Sequence, residues 1–152
     1  MHRQLRSPAG EALTTLVLEL FRVNNLLLGW GDRLVAPLGL TSARWQVLGA
    51  VVAAAHPQPV AWLARDLGAS RQNVQRIVND LAQAGLVSFA PNPHHKRAQL
   101  VVLTEAGAEA SAAALALYDP QVNALAEGLA PEDIAAATRV LAVLKARLAA
   151  PM

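Results

Sequence analysis

The sequence contains no cysteine in 152 residues, which excludes disulfides, thiolate metal ligands and cysteine-based redox sensing. Charged residues make up only 16% and aromatics 4%. There is no glycine-rich phosphate loop and no nucleophile elbow, and the acids are scattered along the chain. His94 and His95 are adjacent, so in a hairpin their side chains diverge and no shared metal is expected. These absences leave an enzyme without a constellation to work with: no catalytic residue, no cofactor and no metal site is expected.

Long apolar runs are also scarce. A long stretch without a formal charge, residues 46–64, is interrupted by Gln46, His56, Pro57, Gln58 and Pro59, so no membrane span is expected there. Arg3 and Arg6 are followed by Glu11, Glu19 and Arg22, which break the apolar core a signal peptide needs. The expectation is a cytoplasmic protein with no membrane partner.

What is present is mostly apolar. The hydrophobic share is 54% and the mean hydropathy +0.31, high values for so few charges. A chain of this length forms one domain, or a small domain with a dimerisation extension, and extra apolar surface implies burial in an oligomer. The net charge of +2 is unevenly spread. Residues 1–59 carry +2 and residues 60–103 carry +3, whereas residues 104–152 carry −3. Basic charge is therefore concentrated in the middle of the chain.

That middle holds the most informative stretch, VAWLARDLGASRQNVQRIVNDL from Val60 to Leu81. Trp62, Leu63 and Leu67, then Val74, Ile77, Val78 and Leu81, form two helical apolar blocks separated only by Gly68, Ala69 and Ser70. Two helices joined by three residues must cross sharply. Ala64 lets them approach, Gly68 permits the turn, and Val74 with Ile77 fills the angle; this is a helix-turn-helix. Ser70 is placed to cap the second helix and Gly85 to end it. Burying Val74, Ile77, Val78 and Leu81 leaves Gln72, Arg76, Asn79 and Gln83 opposite, flanked by Arg71, Asn73 and Gln75. An ordinary solvent face mixes Glu and Lys, whereas this one offers the side chains that bond guanine and adenine edges.

On either side the pattern predicts helices. Glu11 to about Pro37 reads as one long helix, with a stripe through Leu13, Leu16, Val17, Leu20, Asn24, Leu27, Leu28 and Leu34. Leu18, Phe21, Leu26 and Trp30 make its other faces apolar too, so it packs on its own domain and on a second copy. Met1 to Pro8 reads as frayed. After Pro37 to Gly39, Thr41 or Ser42 caps a helix running to about Ala55, with Trp45, Val47, Leu48, Val51 and Val52 buried. His56 to Pro59 reads as a loop. Beyond Gly85, Leu86 to Ala90 and Leu100 to Leu103 read as strands flanking a basic, proline-marked tip from Pro91 to Ala98. A hairpin directly after a helix-turn-helix is a wing, able to lay Lys96 and Arg97 against phosphates or in the minor groove. Thr104 starts a helix that Asp119 and Pro120 kink or interrupt before it resumes toward Leu129. Pro131 opens a last helix whose Ile134, Ala137, Leu141, Leu144 and Leu148 make a narrow seam for a neighbour.

This order of parts resembles the MarR family of bacterial transcription regulators. The specific pieces are SRQNVQRIVNDLAQAGLV at Ser70 to Val87, NPHHKRAQLVVLTEAG at Asn92 to Gly107 and, more loosely, TSARWQVL at Thr41 to Leu48. The resemblance implies a mainly α fold with a small β-hairpin. A winged helix-turn-helix DNA-binding domain over residues 41–103 would be joined to a helical dimerisation region over 1–40 and 104–152. It implies a homodimer reading a palindromic site in double-stranded DNA, acting as a repressor. Gln72, Asn73, Gln75 and Arg76 would read bases, Ser70, Arg71 and Lys96 would meet phosphates, and Arg97 would enter the minor groove. Family wings commonly carry an acid two residues before the wing arginine; here His95 stands there, which puts the rigidity of the wing in question. Small-molecule release between the dimer helices and the winged domain is also implied, with Trp30 and Trp45 as walls and Arg33 or Arg44 for an anion. The competing reading is a winged-helix module that binds protein rather than DNA. Its recognition face would be apolar or acidic, which Gln72, Arg76 and Asn79 are not.

Overall fold

A computed structural model describes residues 6–150. Of the stretch expected to be frayed, Met1 to Leu5 lie outside the described residues, but Ser7 and Pro8 already begin the first helix. Helix α1 spans Pro8–Val35, three residues earlier than expected. Ser7 Oγ accepts from the Gly10 N–H at 3.0 Å, proline at the first position forfeits no bond, and Glu11 faces the positive end. A single 3-10 turn, Ala36–Leu38, follows, and Gly39 in the left-handed region (φ 71°) closes it. Helix α2, Ser42–Ala53, is capped by Thr41, whose hydroxyl accepts from the Arg44 N–H. Ser42 does something else. It is buried, its N–H donates to Asp32 Oδ1 at 2.7 Å, and its hydroxyl donates to the Leu28 carbonyl at 2.6 Å.

Residues expected to be loop supply a third strand. Strand β1 is only Gln58–Pro59, yet it pairs antiparallel with β3 (Leu100–Leu103), which also pairs with β2 (Val87–Ala90), giving the order β1-β3-β2. Proline is tolerated because β1 is an edge. Helix α3, Val60–Leu67, and helix α4, Arg71–Gln83, lie between β1 and β2. Both end in the same way. Gly68 and Gly85 take φ of 63° and 76°, and the N–H groups of Ala69 and Leu86 return to the carbonyls of Ala64 and Leu81, so freed carbonyls are satisfied at each end.

Helix α5 is continuous over Glu105–Ala126 with Pro120 inside it, so of the kink or interruption expected at Asp119 and Pro120 the interruption does not occur. Proline removes one ladder bond, and the Ala116 carbonyl it frees sits at an exposed residue where water can satisfy it. Gly128, in the left-handed region, precedes α6, Pro131–Ala149, which begins with proline followed by Glu132 and Asp133 as expected.

The buried apolar residues run from Leu40 to Val101, with Val35 from α1 and Ala114 from α5 added at the edge. By contrast α6 buries no residue, and α1 buries only Gly31 and Val35 near its end. Segment Pro8–Leu38 is long and apolar enough to cross a membrane, with a window of mean hydropathy 1.3 and none of that window buried. The expectation of no such segment considered only residues 46–64 and overlooked it, because Glu19 and Arg22 interrupt the run; these two pair with each other one helical turn apart.

Two close approaches tie the core to the flanking helices. A Cβ on Gly31 would lie 2.3 Å from Ser42 Oγ, and one on Gly107 would lie 2.0 Å from the Leu86 carbonyl oxygen. Beside Gly107, the Thr104 hydroxyl donates to the Gly85 carbonyl at 2.6 Å and accepts from the Gly107 N–H at 3.0 Å. Substituting Gly107→Ala forces backbone apart and is expected to destabilise by about 1–3 kcal/mol or more. Gly49→Ala, inside α2 with open space around it, is expected to stabilise by about 0.4–1 kcal/mol. Denaturant unfolding at one fixed protein concentration checks both, and equal effects of like sign would contradict the packing described.

Candidate nucleic-acid interface

The orientation of α4 is set by what it buries. Val74, Ile77, Val78 and Leu81 are all at most 3% exposed, so rotation about the helix axis is fixed. Gln72, Asn73, Gln75, Arg76 and Asn79 are left exposed on the other side, as the periodicity predicts. Ser70 is the N-cap, its Oγ accepting from the Asn73 N–H at 3.2 Å, which leaves the hydroxyl hydrogen available to another acceptor. The exposed side chains are also paired with one another. Arg76 Nη2 donates to Asn73 Oδ1 at 2.8 Å, and Gln75 Nε2 donates to Asn79 Oδ1 at 3.0 Å. Such pairs restrict rotamers before any partner arrives.

The wing brings its own groups to the same side. Arg71, Gln75 and Asn79 of α4 line one groove together with Arg97, Ala98 and Gln99, and Pro59, Val60 and Phe89 complete its lining. Lys96 and Arg97 are exposed, and neither they nor Arg71 forms an ion pair among the described residues. The wing tip is held without an acid before the arginine. Asn92 Oδ1 accepts from the His94 N–H at 3.0 Å, Asn92 O from His95 N–H at 3.3 Å, and His95 O from Ala98 N–H at 3.2 Å, which folds the tip into successive turns.

Sequence reasoning missed part of this surface. Asn79 was on the outward face but not among the expected contacts, although its spacing of four from Gln75 marks it as a neighbour. Trp62, read as part of an apolar block, is 52% exposed, with the Arg65 guanidinium 4.6 Å from its ring centroid. Eight residues of α3 send Val60, Leu63 and Ala64 inward, so Trp62 falls outside that stripe.

The residues expected to serve a small molecule lie elsewhere. Trp30 and Trp45 both meet Tyr118 edge-on, with centroids 5.9 and 5.3 Å away, which joins α1, α2 and α5 through three rings. Arg33 is exposed near the end of α1. Arg44 already has an anion: its Nη2 lies 3.3 Å from Asp80 Oδ2 on α4.

A sharply crossed helix pair followed by a short sheet, with an exposed amide- and arginine-bearing helix beside a basic tip, defines a DNA-binding winged helix. The family model described as MarR family matches residues 38–98. An uncharacterized protein of Mycobacterium tuberculosis is 42% identical over 98 residues, 64% of this chain and 67% of that protein. The transcriptional activatory protein BadR of Rhodopseudomonas palustris is 34% identical over 99 residues, 64% of this chain and 57% of BadR. Among solved structures, the transcriptional repressor CouR bound to a 23-mer DNA duplex aligns at 26% identity with a TM-score of 0.75, covering 92% of this chain and 99% of that one. CouR from Rhodococcus jostii RHA1 bound to p-coumaroyl-CoA shares the fold at a TM-score of 0.77 and 23% identity, covering 86% and 91%. The chain belongs to the MarR family and is a transcription regulator.

Proposed function

We propose that the protein is a homodimeric repressor that reads a palindromic operator in the cytoplasm. Residues 41–103 are its reading head, and residues 1–40 and 104–152 join the two copies. The exposed face of α4 carries this reading: it offers only Arg, Gln and Asn over its first two turns, and the wing adds Arg97 to the same groove. Gln72, Asn73, Gln75 and Arg76 read bases, Ser70, Arg71 and Lys96 hold phosphates, and Arg97 enters the minor groove.

Dimerisation is supported by what one chain leaves bare. Nineteen large hydrophobic residues are exposed among the described ones, and apart from Val52 and Trp62 all lie on α1, on α5 and the loop after it, or on α6. The seam of Ile134, Leu141 and Leu148 is 40–83% exposed. A soluble monomer rarely leaves so many large apolar side chains exposed, and a two-fold partner bearing the same helices covers them. Repression is supported by the likeness to CouR, a named repressor, over nearly the whole chain; the likeness to BadR is confined to 99 residues. An effector acts where Trp30, Tyr118 and Trp45 join the helices, since a ligand that binds one arrangement of α1, α2 and α5 better than another shifts DNA affinity by that difference.

Selecting bound duplexes from a random library tests the reading. An inverted repeat with half-sites about 10 bp apart centre to centre is expected. An asymmetric site, or none, overturns it. Arg76→Ala is expected to lose about 1–3 kcal/mol and to relax specificity at one base position, which a panel of operator variants resolves. Arg97→Ala is expected to weaken binding and to flatten the dependence of affinity on salt. An unaltered slope in a salt titration removes the wing from the interface.

A further inference from the structure

Asp80 is the sole acid in α4, and it follows Arg76 by four residues. At that spacing opposite charges on one helix meet. They do not meet here: Arg76 turns toward the helix N-terminus and bonds Asn73, while the Asp80 carboxylate is occupied by Arg44, contributed by α2. Arg44 is held for this purpose at its base, since its own N–H is capped by Thr41 in the first turn of α2. The two side chains keep 39% and 33% of their surface. A pair so exposed contributes little to folding. Asp80 nevertheless lines the same open face as Arg71, Gln72, Gln75 and Arg76, where a bare carboxylate would compete for the arginine and repel phosphate.

We infer that Arg44 is a positioning residue for sequence readout: by holding Asp80 it keeps Arg76 directed at its base and free of the carboxylate one turn below. The inference rests on the assignment of Arg76 to base reading. It gives Arg44 a role at the DNA side of α2, not that of an anion receptor for an effector.

The test uses the full chain, a duplex carrying the selected operator, and its single-base variants. Arg44→Ala and Arg44→Gln are expected to bind about tenfold more weakly, the lower range for one lost base contact, and to lose discrimination at the position that Arg76→Ala identifies. Arg44→Lys keeps the discrimination, and Arg44→Ala combined with Asp80→Asn recovers it. Retained discrimination in Arg44→Ala, where Arg76→Ala has lost it, overturns the inference. So does a weakened Arg44→Ala with a flatter salt slope that Asp80→Asn does not rescue, because Arg44 is then a phosphate contact. Independent, multiplicative effects of Arg44→Ala and Asp80→Asn with an unchanged base profile reduce the pair to simple charge and also overturn it. An Arg76→Ala protein with an unaltered base profile instead fails the base-reading assignment, and this inference falls with it.

Discussion

Rotation of α4 about its own axis is the constraint on which the rest of this molecule depends. A helix of thirteen residues has no preferred side until something buries one, and here Val74 and Val78 are fully buried while Ile77 and Leu81 are nearly so. Turning the helix by one residue, about 100°, would put Gln75 or Asn79 into the core without partners and bring valine to the surface. Burial of a few aliphatic side chains thus holds the polar face outward. The caps then fix where that face begins and stops, Ser70 at one end and Gly85 at the other.

Holding a face outward is of use to a regulator only if the face is also fixed relative to the rest of the molecule, here the long helices α1 and α5. Two clasps do this, and both rely on a glycine, the first to admit a side-chain hydroxyl and the second a backbone carbonyl. At the first, Gly31 admits Ser42, whose bonds to Asp32 and Leu28 lock the start of α2 onto the end of α1. At the second, Gly107 admits the Leu86 carbonyl, and Thr104 bonds the Gly85 carbonyl that ends α4. The turn that terminates α4 is therefore bonded to the residue that caps α5. The second clasp has no slack, since a methyl group at Gly107 collides with backbone, whereas one at Gly31 meets the Ser42 hydroxyl, which can turn only by giving up its bond to Leu28.

Local features were legible in the sequence and distant pairings were not. The 3.6-residue period, Ser70, Gly68 and Gly85 act within one or two turns, so the helix-turn-helix and the outward set on α4 could be read directly. Strand β1 could not, because two residues with a proline carry no period and the strand exists only through pairing of Gln58 with Val101. The continuation of α5 through Pro120 was not legible for a related reason: proline weakens a helix locally, but an exposed helix loses only one bond to it. Arg44 looked like a free cation because its partner lies 36 residues away. Trp62 looked like core because residue type says nothing of which side of a short helix it falls on.

Adjacent residues on α2 connect the two ends of the molecule. Trp45 packs edge-on against Tyr118, which also carries Trp30, and so belongs to the layer formed with α1 and α5. Arg44, one residue earlier, reaches the other way to Asp80 on α4. Successive positions on an α-helix are about 100° apart and held by the same backbone bonds, so they cannot move independently. A displacement of α2 large enough to separate Trp45 from Tyr118 carries Arg44 with it, and strains the bond to Asp80 unless α4 follows. The aromatic layer between the long helices and the ion pair beside the recognition face are in this sense one mechanical element, and α2 is the part that carries both.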